Sequence, residues 1–201
     1  MAKITQLSQL NLNHYYSYAD YLTWQFDEAI ELIKGKISLM SPAPNVKHQS
    51  IVTNLGGKLY NYFNKKPCKL FFAPFDVRLY DKNKSLVANQ EIHTVIQPDL
   101  CVICNTGQLT EQGCLGAPDW IIEILSKGNS KKEVKTKHQL YAESGVREYW
   151  LVFPYEQVIQ QFVLDDNQQY QLLNNYAGDD KAIPHLFSDL EIDLVALFKD
   201  A

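Results

Sequence analysis

The sequence predicts an α/β (α+β) fold in which helices flank a mixed central sheet. Two segments with helical spacing alternate with short apolar runs typical of buried strands, in the order helix, three strands, helix, strand. Consecutive strands favour antiparallel pairing, whereas a helical crossover favours parallel pairing, so the sheet should contain both. A β-hairpin is expected before and after this αβββαβ core.

The N-terminal helix and hairpin are placed at residues 14–42. "SYADYLTWQF" predicts a short helix, because Ser17 stands at its N-cap and Asp20 completes a capping box. "AIELIKGKISLMSP" predicts a hairpin that turns at Lys34-Gly35.

The core is placed at about residues 45–154. Its first helix lies in "NVKHQSIVTNLGGKLYNYFNKK", where the Gly56-Gly57 pair indicates close approach to another element. Strands are predicted in "KLFFAPFDVRLYD", "TVIQPDLCVIC", "APDWIIEIL" and "REYWLVFP". The second helix begins at the N-cap Ser130, with Glu133 in its capping box and Gly145 as its C′ residue.

The C-terminal hairpin is placed at residues 156–176, with its turn around Asp166-Asn167. We expect residues 1–201 to form a single domain, because two would be cramped in a chain of 201 residues. The N-terminal residues lack an apolar run of the length expected in a signal peptide, and no run approaches the ~20 residues of a membrane span. The protein is therefore expected in the cytoplasm, without a membrane partner.

The four cysteines are expected to be reduced thiols in that compartment. Cys101 and Cys104 form a CxxC pair, which could indicate a zinc or redox site. No second pair stands at ligand spacing, and residues three apart on a strand point to opposite faces. We interpret both as buried small side chains.

The net charge of −4 gives no overall attraction to nucleic acid. Lysines nevertheless cluster around the start of the second helix, at Lys127, Lys131, Lys132 and Lys135. Such a run is typical of a solvated helix face, or of a surface that contacts a phosphate backbone.

Two charged residues fall on faces that should be buried. Strand alternation places Glu123 on one face with Ile121 and Leu125, and a helical wheel places Lys137 within an apolar stripe. They could form a structural ion pair, or a site in which the ammonium stabilises charge on a phosphate or helps to deprotonate a water. We favour the second interpretation, because buried ion pairs add little stability.

Asp99 follows Pro98 in the preceding strand and could converge on Glu123 if the two strands are neighbours. Two unpaired carboxylates would repel each other, and a hard divalent cation such as Mg²⁺ or Mn²⁺ would relieve that repulsion. His48 begins an apolar stripe and could face this site or be an ordinary core histidine. Gln97 could contact a phosphate or water, and Glu133 lies at the edge of the stripe that holds Lys137.

These motifs resemble the PD-(D/E)xK nuclease superfamily: Pro98-Asp99, twenty-three intervening residues, then Glu123 on a strand. More narrowly, "PDWIIEILS", the Glu133/Lys137 spacing and "YAESGVREYW" resemble the Uma-type restriction-endonuclease-like family of bacteria, from about Tyr21 to Leu197. Leu125 stands where the superfamily motif has lysine. The resemblance to the narrower family implies that Lys137 supplies this group from the following helix.

The resemblance implies a restriction-endonuclease-like fold and a Mg²⁺-dependent endodeoxyribonuclease that hydrolyses DNA phosphodiester bonds. Asp99 and Glu123 would be metal ligands and Lys137 a catalytic residue. Glu31 matches a family position and could be a further acidic group, or only a surface charge of the hairpin. A homodimer is implied where both strands are cut.

A catalytically silent nuclease-fold module that binds nucleic acid or a protein partner is the alternative. The acidic net charge favours it, whereas the presence of Asp99, Glu123 and Lys137 together favours the enzyme. No phosphate-binding loop of the nucleotide-dependent motor proteins occurs, so no nucleotide cofactor is expected.

Overall fold

The computed structural model describes residues 3–40, 45–80, 88–127 and 131–199. The α-helices are α1 Tyr18–Tyr21, α2 Val46–Phe63, α3 Lys131–Ser144 and α4 Leu194–Phe198. The strands are β1 Ile30–Ile33, β2 Lys36–Leu39, β3 Lys69–Phe72, β4 Val77–Leu79, β5 Thr94–Ile96, β6 Leu100–Ile103, β7 Leu109–Thr110, β8 Gly113–Leu115, β9 Trp120–Ile124, β10 Glu148–Phe153, β11 Val158–Leu164, β12 Tyr170–Ala177, β13 Lys181–Ala182 and β14 Ile192–Asp193.

Most strands belong to one of two six-stranded sheets. The first sheet has the order β2-β1-β5-β4-β8-β7, and the second sheet has the order β12-β11-β10-β9-β6-β3. In the second sheet β9 and β10 are parallel and every other pair is antiparallel. Helix α3 is the crossover between β9 and β10, which is how parallel neighbours are joined. The predicted mixed sheet is therefore confirmed.

The structure contains two six-stranded sheets rather than a single central one, because two of the predicted strands divide between the sheets. "KLFFAPFDVRLYD" forms β3 and β4, and "TVIQPDLCVIC" forms β5 and β6. Each break contains a proline, Pro74 or Pro98, which has no N–H to donate to a sheet ladder. Neither the hairpin β7–β8 nor the C-terminal elements β13, β14 and α4 were predicted.

The N-terminal elements follow their local signals. The Ser17 side chain accepts a hydrogen bond from the Asp20 N–H, and the capping box is complete. Strands β1 and β2 turn at Lys34 and Gly35, which have φ angles of 50° and 80°. The predicted helix and hairpin are therefore confirmed, and the hairpin lies at the edge of the first sheet.

Helix α2 packs closely on the second sheet. Its buried stripe, which includes Ile51, Leu55 and Leu59, lies in one core with alternate residues of β9 and β10. A Cβ atom at Gly56 would overlap the ring of Phe72, which confirms the predicted close approach at this glycine. Gly57 meets nothing and needs no such explanation.

Helix α3 packs on the opposite face of the same sheet. Trp120, Ile122 and Ile124 face the α2 core, whereas Ile121 lies in a second core with α3 residues such as Leu140. The predicted alternation of β9 is confirmed, and Glu123 consequently faces α3. Ser130 lies outside the described residues. Gly145 has a φ angle of 81° at the C′ position, as predicted.

The expectation of four reduced cysteines is wrong, because Cys68 and Cys104 form a disulfide. Antiparallel pairing of β3 with β6 sets Lys69 opposite Ile103, and this register places the next residues, Cys68 and Cys104, side by side. Cys101 and Cys114 are free and buried. Cys101 and Cys104 lie in different cores, as strand alternation predicted, but Cys104 is half-buried and disulfide-bonded rather than a buried small side chain.

No helix within the described residues has both the length and the apolar character needed to cross a bilayer.

Candidate active site

Lys137 lies at the centre of the site. Its Nζ donates to Glu123 Oε1 at 3.1 Å and to Glu31 Oε1 at 3.0 Å. All three side chains are largely buried: Glu31 is 3% exposed, Lys137 8% and Glu123 9%. Strand alternation and the helical stripe, which pointed to Glu123 and Lys137 separately, therefore bring these two residues to one place.

Glu31 comes from β1 in the first sheet, whereas Glu123 comes from β9 in the second. Glu31 Oε1 also accepts a hydrogen bond from the Gln97 N–H at 2.9 Å. Its burial shows that the alternative of a hairpin surface charge is wrong. Lys137 thus holds together two carboxylates that belong to different sheets.

Asp99 lies in the break between β5 and β6 and reaches the end of β9. Its Oδ2 accepts from the Ile124 N–H at 2.7 Å, and His48 Nε2 lies 3.2 Å from the same oxygen. His48 is buried in the first turn of α2, and its Nδ1 has no partner among the described residues. His48 therefore faces the site and keeps one ring nitrogen available.

Tyr141 lies in the apolar stripe of α3 and was not among the predicted site residues. Its hydroxyl donates to Glu123 Oε1 at 2.5 Å. Lys137 and Tyr141 are four residues apart and so lie above one another on the helix. Their spacing was the one signal in the sequence that could have added Tyr141 to the site.

Burial strongly shifts the ionisation of this cluster. Burial is the largest cause that raises the pKa of Glu123 from 4.5 to about 7. The charge of Lys137 lowers this pKa, whereas repulsion from Asp99 and Glu31 raises it further. Burial alone would lower the pKa of Lys137, but the charges of Glu123 and Glu31 outweigh it and raise that pKa. Lys137 is consequently a permanent cation.

Gln97 connects the site to polar residues behind it. Its Nε2 donates to Asp76 Oδ1 at 2.9 Å, and the Tyr18 hydroxyl donates to Asp76 Oδ2 at 3.2 Å. Asp119, in the second Pro-Asp dipeptide, instead accepts from the Cys104 N–H at 2.7 Å. Asp119 therefore fixes the entry to its strand and lies outside the candidate site.

One cavity of about 340 Å³ collects the predicted residues. Those that line it are Glu31, His48, Gln97, Asp99, Glu123, Glu133 and Lys137. The predicted lysines are all exposed outside this cavity: Lys127, Lys131, Lys132 and Lys135. The charge pattern is thus acidic inside and basic outside, around the beginning of α3.

The donor set of the cavity fits a hard divalent cation. The hydrogen bonds made by the described residues reach Asp99 at Oδ2 and Glu123 at Oε1, which leaves Oδ1 and Oε2 to accept a ligand. Within the described ranges, no three His, Cys, Asp or Glu side chains form a complete metal site. Mg²⁺ commonly takes one or two carboxylates and completes its shell with water and phosphate oxygens.

Known proteins support the same fold. The model of the Uma2 family, described as "Putative restriction endonuclease", matches residues 18–195. One solved structure, described as that of "a putative nuclease belonging to DUF820" from Anabaena variabilis ATCC 29413, is 24% identical. The match covers 91% of this chain and 97% of that chain, with a TM-score of 0.68, and confirms the predicted fold class. No curated protein matches the chain.

Proposed function

From its membership of the Uma2 family, which its motifs predicted, we propose a function for this chain. The proposed function is that of a divalent-metal-dependent endonuclease that hydrolyses DNA phosphodiester bonds. The observation that carries the proposal is the buried Lys137 ammonium, held by Glu31 and Glu123 in a cavity that also contains Asp99. A buried cation among carboxylates is a poor way to gain stability, so a role in binding or catalysis accounts for it better.

Asp99 and Glu123 would hold Mg²⁺ or Mn²⁺, with Glu31 as a further acidic group. Such a cation neutralises phosphate charge and lowers the pKa of a bound water. Burial, together with repulsion from Asp99 and Glu31, raises the pKa of Glu123, and a cation at these carboxylates would relieve the repulsion.

Lys137 would stabilise the negative charge that develops on the phosphate during hydrolysis. The charges of Glu123 and Glu31 raise the pKa of Lys137, which favours the charged form of the amine. Of the two roles considered from the sequence, the electrostatic one is therefore preferred.

Three groups would position the carboxylates through hydrogen bonds. His48 and the Ile124 N–H orient Asp99, and the Tyr141 hydroxyl orients Glu123. Burial raises the pKa of Tyr141 well above its ordinary value, so Tyr141 remains a phenol donor. Fixed donors of this kind keep the free carboxylate oxygens directed at a ligand.

DNA would lie over the exposed lysines at positions 127, 131, 132 and 135, which can neutralise phosphates despite the net charge of −4. A homodimer belongs to this proposal where both strands are cut, and analytical ultracentrifugation with and without duplex DNA would detect it.

A catalytically silent module that binds nucleic acid is the second candidate. It is favoured by two observations: Lys137 already pairs with Glu31 and Glu123 within the cavity, and no three-residue metal site is complete among the described residues.

A cleavage assay separates the two candidates. Purified protein is incubated with single-stranded, duplex and branched DNA in the presence of Mg²⁺, Mn²⁺ or EDTA. The enzyme should cut at least one substrate with metal and none with EDTA, and Lys137→Ala should lose most activity. If nothing is cut, while wild type and Glu123→Ala bind DNA equally, the silent module is correct.

A further inference from the structure

An exposed tyrosine lies just outside the candidate site and is not used by the proposed chemistry. Tyr155 follows β10 and is 43% exposed. Lys127 Nζ lies 4.7 Å from the centre of its ring, and Lys47 Nζ lies 5.4 Å from it. We call Tyr155, Lys47 and Lys127 the aromatic-lysine patch.

The patch is joined to the site by one side chain. The Oδ1 of Asn45 accepts from the His48 N–H at 3.0 Å, and its Nδ2 donates to the Tyr155 hydroxyl at 3.0 Å. Asn45 is the N-cap of α2, the helix whose first turn places His48 beside Asp99. The position of the Tyr155 ring is therefore set by the same turn that orients Asp99.

Strand register also places the patch beside the cavity. In the parallel pair, Val152 of β10 is level with Ile124 of β9. Tyr155 and Lys127 each follow that pair by three residues, and Ser126, next to Lys127, lines the cavity. The patch thus extends the rim of the cavity where the carboxyl ends of two neighbouring strands meet.

The chemistry of the patch fits a nucleic-acid strand. An aromatic ring presents a flat face on which a base can stack whatever its sequence, and such stacking strengthens binding by roughly 10- to 100-fold. Ammonium groups beside the ring can transfer to phosphates, because exposed cation–π contacts are weak. Glu156, the next residue, is exposed and opposes phosphate, but the two lysines outnumber it.

We propose that Tyr155 stacks on an unpaired base of the bound DNA, while Lys47 and Lys127 pair with the flanking phosphates. In a duplex both faces of an interior base are covered by its neighbours, so this contact selects DNA with an unpaired or flipped nucleotide beside the phosphate that is cut. The position of that phosphate rests on the proposed function, whereas the stacking contact does not.

The chain supplies a matched control for the test. Tyr15 is 65% exposed, and Lys36 Nζ lies 3.8 Å from the centre of its ring. Lys36 begins β2 in the first sheet, whereas Lys127 and Tyr155 follow β9 and β10 of the second sheet. Tyr15→Ala therefore removes a comparable exposed aromatic–lysine contact away from the proposed strand path.

The experiment measures fluorescence anisotropy of a labelled single-stranded oligonucleotide and of a blunt-ended duplex without a loop, both in EDTA to prevent cutting. Tyr155→Ala should weaken single-strand binding about tenfold and duplex binding less than about twofold. Tyr155→Phe, which keeps the ring, should stay within about threefold of wild type. Lys47→Ala and Lys127→Ala should each make the slope of log affinity against log salt concentration shallower, by the amount that corresponds to about one phosphate contact.

Stacking has its own readout in an oligonucleotide that contains 2-aminopurine, whose fluorescence is quenched when the base stacks. Wild-type protein should quench the fluorescence when 2-aminopurine stands at one particular position in the oligonucleotide. Tyr155→Ala should not quench it at that position. Equal single-strand affinity for wild type and Tyr155→Ala, or an equal loss with Tyr15→Ala, would overturn the proposal.

The two proposals can fail separately. If the protein cuts no DNA, but Tyr155→Ala selectively loses single-strand binding and quenching, the proposed function fails and the stacking contact stands. If DNA is cut and Tyr155→Ala binds and cuts a single strand as wild type does, only the stacking contact fails.

Discussion

Two buried glutamates on neighbouring parallel strands have very different surroundings. Glu148 on β10 is fully buried, and every donor to it is neutral. Its Oε1 accepts from Trp150 Nε1, Gln161 Nε2 and the His185 N–H, and its Oε2 accepts from the Leu186 N–H, at distances of 2.7–2.9 Å. Glu123 on β9 instead meets a charged lysine and shares a cavity with three more carboxylates.

The difference separates structure from chemistry. Glu148 uses both oxygens and attaches the segment around residues 185–186 to the sheet, so it has little capacity left for a ligand. Glu123 receives its hydrogen bonds on one oxygen and has a raised pKa. Burial of a carboxylate alone therefore does not indicate function; unbalanced charge and an open oxygen do.

Cleavage should be lost when Glu123 is changed, which is the largest effect expected. Glu123→Gln keeps the shape of the side chain but removes its charge, and should reduce DNA cleavage at least about 100-fold. Initial rates in Mg²⁺ measure this, with circular dichroism as the check on folding. Wild-type rates in folded Glu123→Gln would remove Glu123 from the mechanism.

The same change at Glu148 should give the reverse result. In Glu148→Gln an amide replaces one of the accepting oxygens and leaves a buried donor unsatisfied, which should lower the free energy of unfolding by about 3 kcal/mol. Urea unfolding measures the loss. Cleavage per folded molecule should stay near wild type, and a large drop in it would contradict the structural role.

Glu123 should also make stability depend on pH. Its folded pKa is raised from 4.5 to about 7, so in this window the folded state binds a proton that the unfolded state releases, and stability falls as the pH rises. Glu123→Gln removes this dependence. In EDTA, the free energy of unfolding of Glu123→Gln relative to that of wild type should rise by about 2 kcal/mol when the pH is raised from about 5 to about 8. Urea unfolding of both proteins at both pH values measures this difference in the free energy of unfolding. A difference that is the same at the two pH values would contradict the raised pKa.

Metal binding should give the smallest effect. Millimolar Mg²⁺ or Mn²⁺ should raise the melting temperature, because a cation at ten times its Kd stabilises the folded state by about 1.4 kcal/mol. Asp99→Asn should abolish the shift. Asp119→Asn is the matched control, since Asp119 also follows a proline but accepts a hydrogen bond from the Cys104 N–H. An equal shift in wild type and Asp99→Asn would place the cation elsewhere.

The sequence predicts the parts of the site that depend on local periodicity. The face of Glu123 follows from a two-residue repeat and that of Lys137 from a helical repeat, and each needs only its own element. Glu31 could be included only through the family resemblance, because its contact with Lys137 joins residues 106 positions apart. The sites of Glu148 and Tyr155 were missed for the same reason: their partners lie far away in the chain.

The division into two sheets could not be predicted from the strand patterns either. Pro74 and Pro98 show where pairing stops, but not which neighbours the next strand chooses. That choice depends on which apolar faces meet across the whole chain. The local elements therefore match the prediction, whereas the assignment of the strands to two sheets could not be predicted.

The ammonium of Lys137 touches one carboxylate from each sheet, since Glu31 belongs to β1 and Glu123 to β9. A ligand that attracts both carboxylates must act on both sheets at once, although β1 and β9 do not pair with each other. Occupancy of the cavity and the relative motion of the sheets should consequently be coupled. Amide hydrogen exchange in β1 and β9 would then slow together when the cavity fills, so that two separate strands report a single binding event.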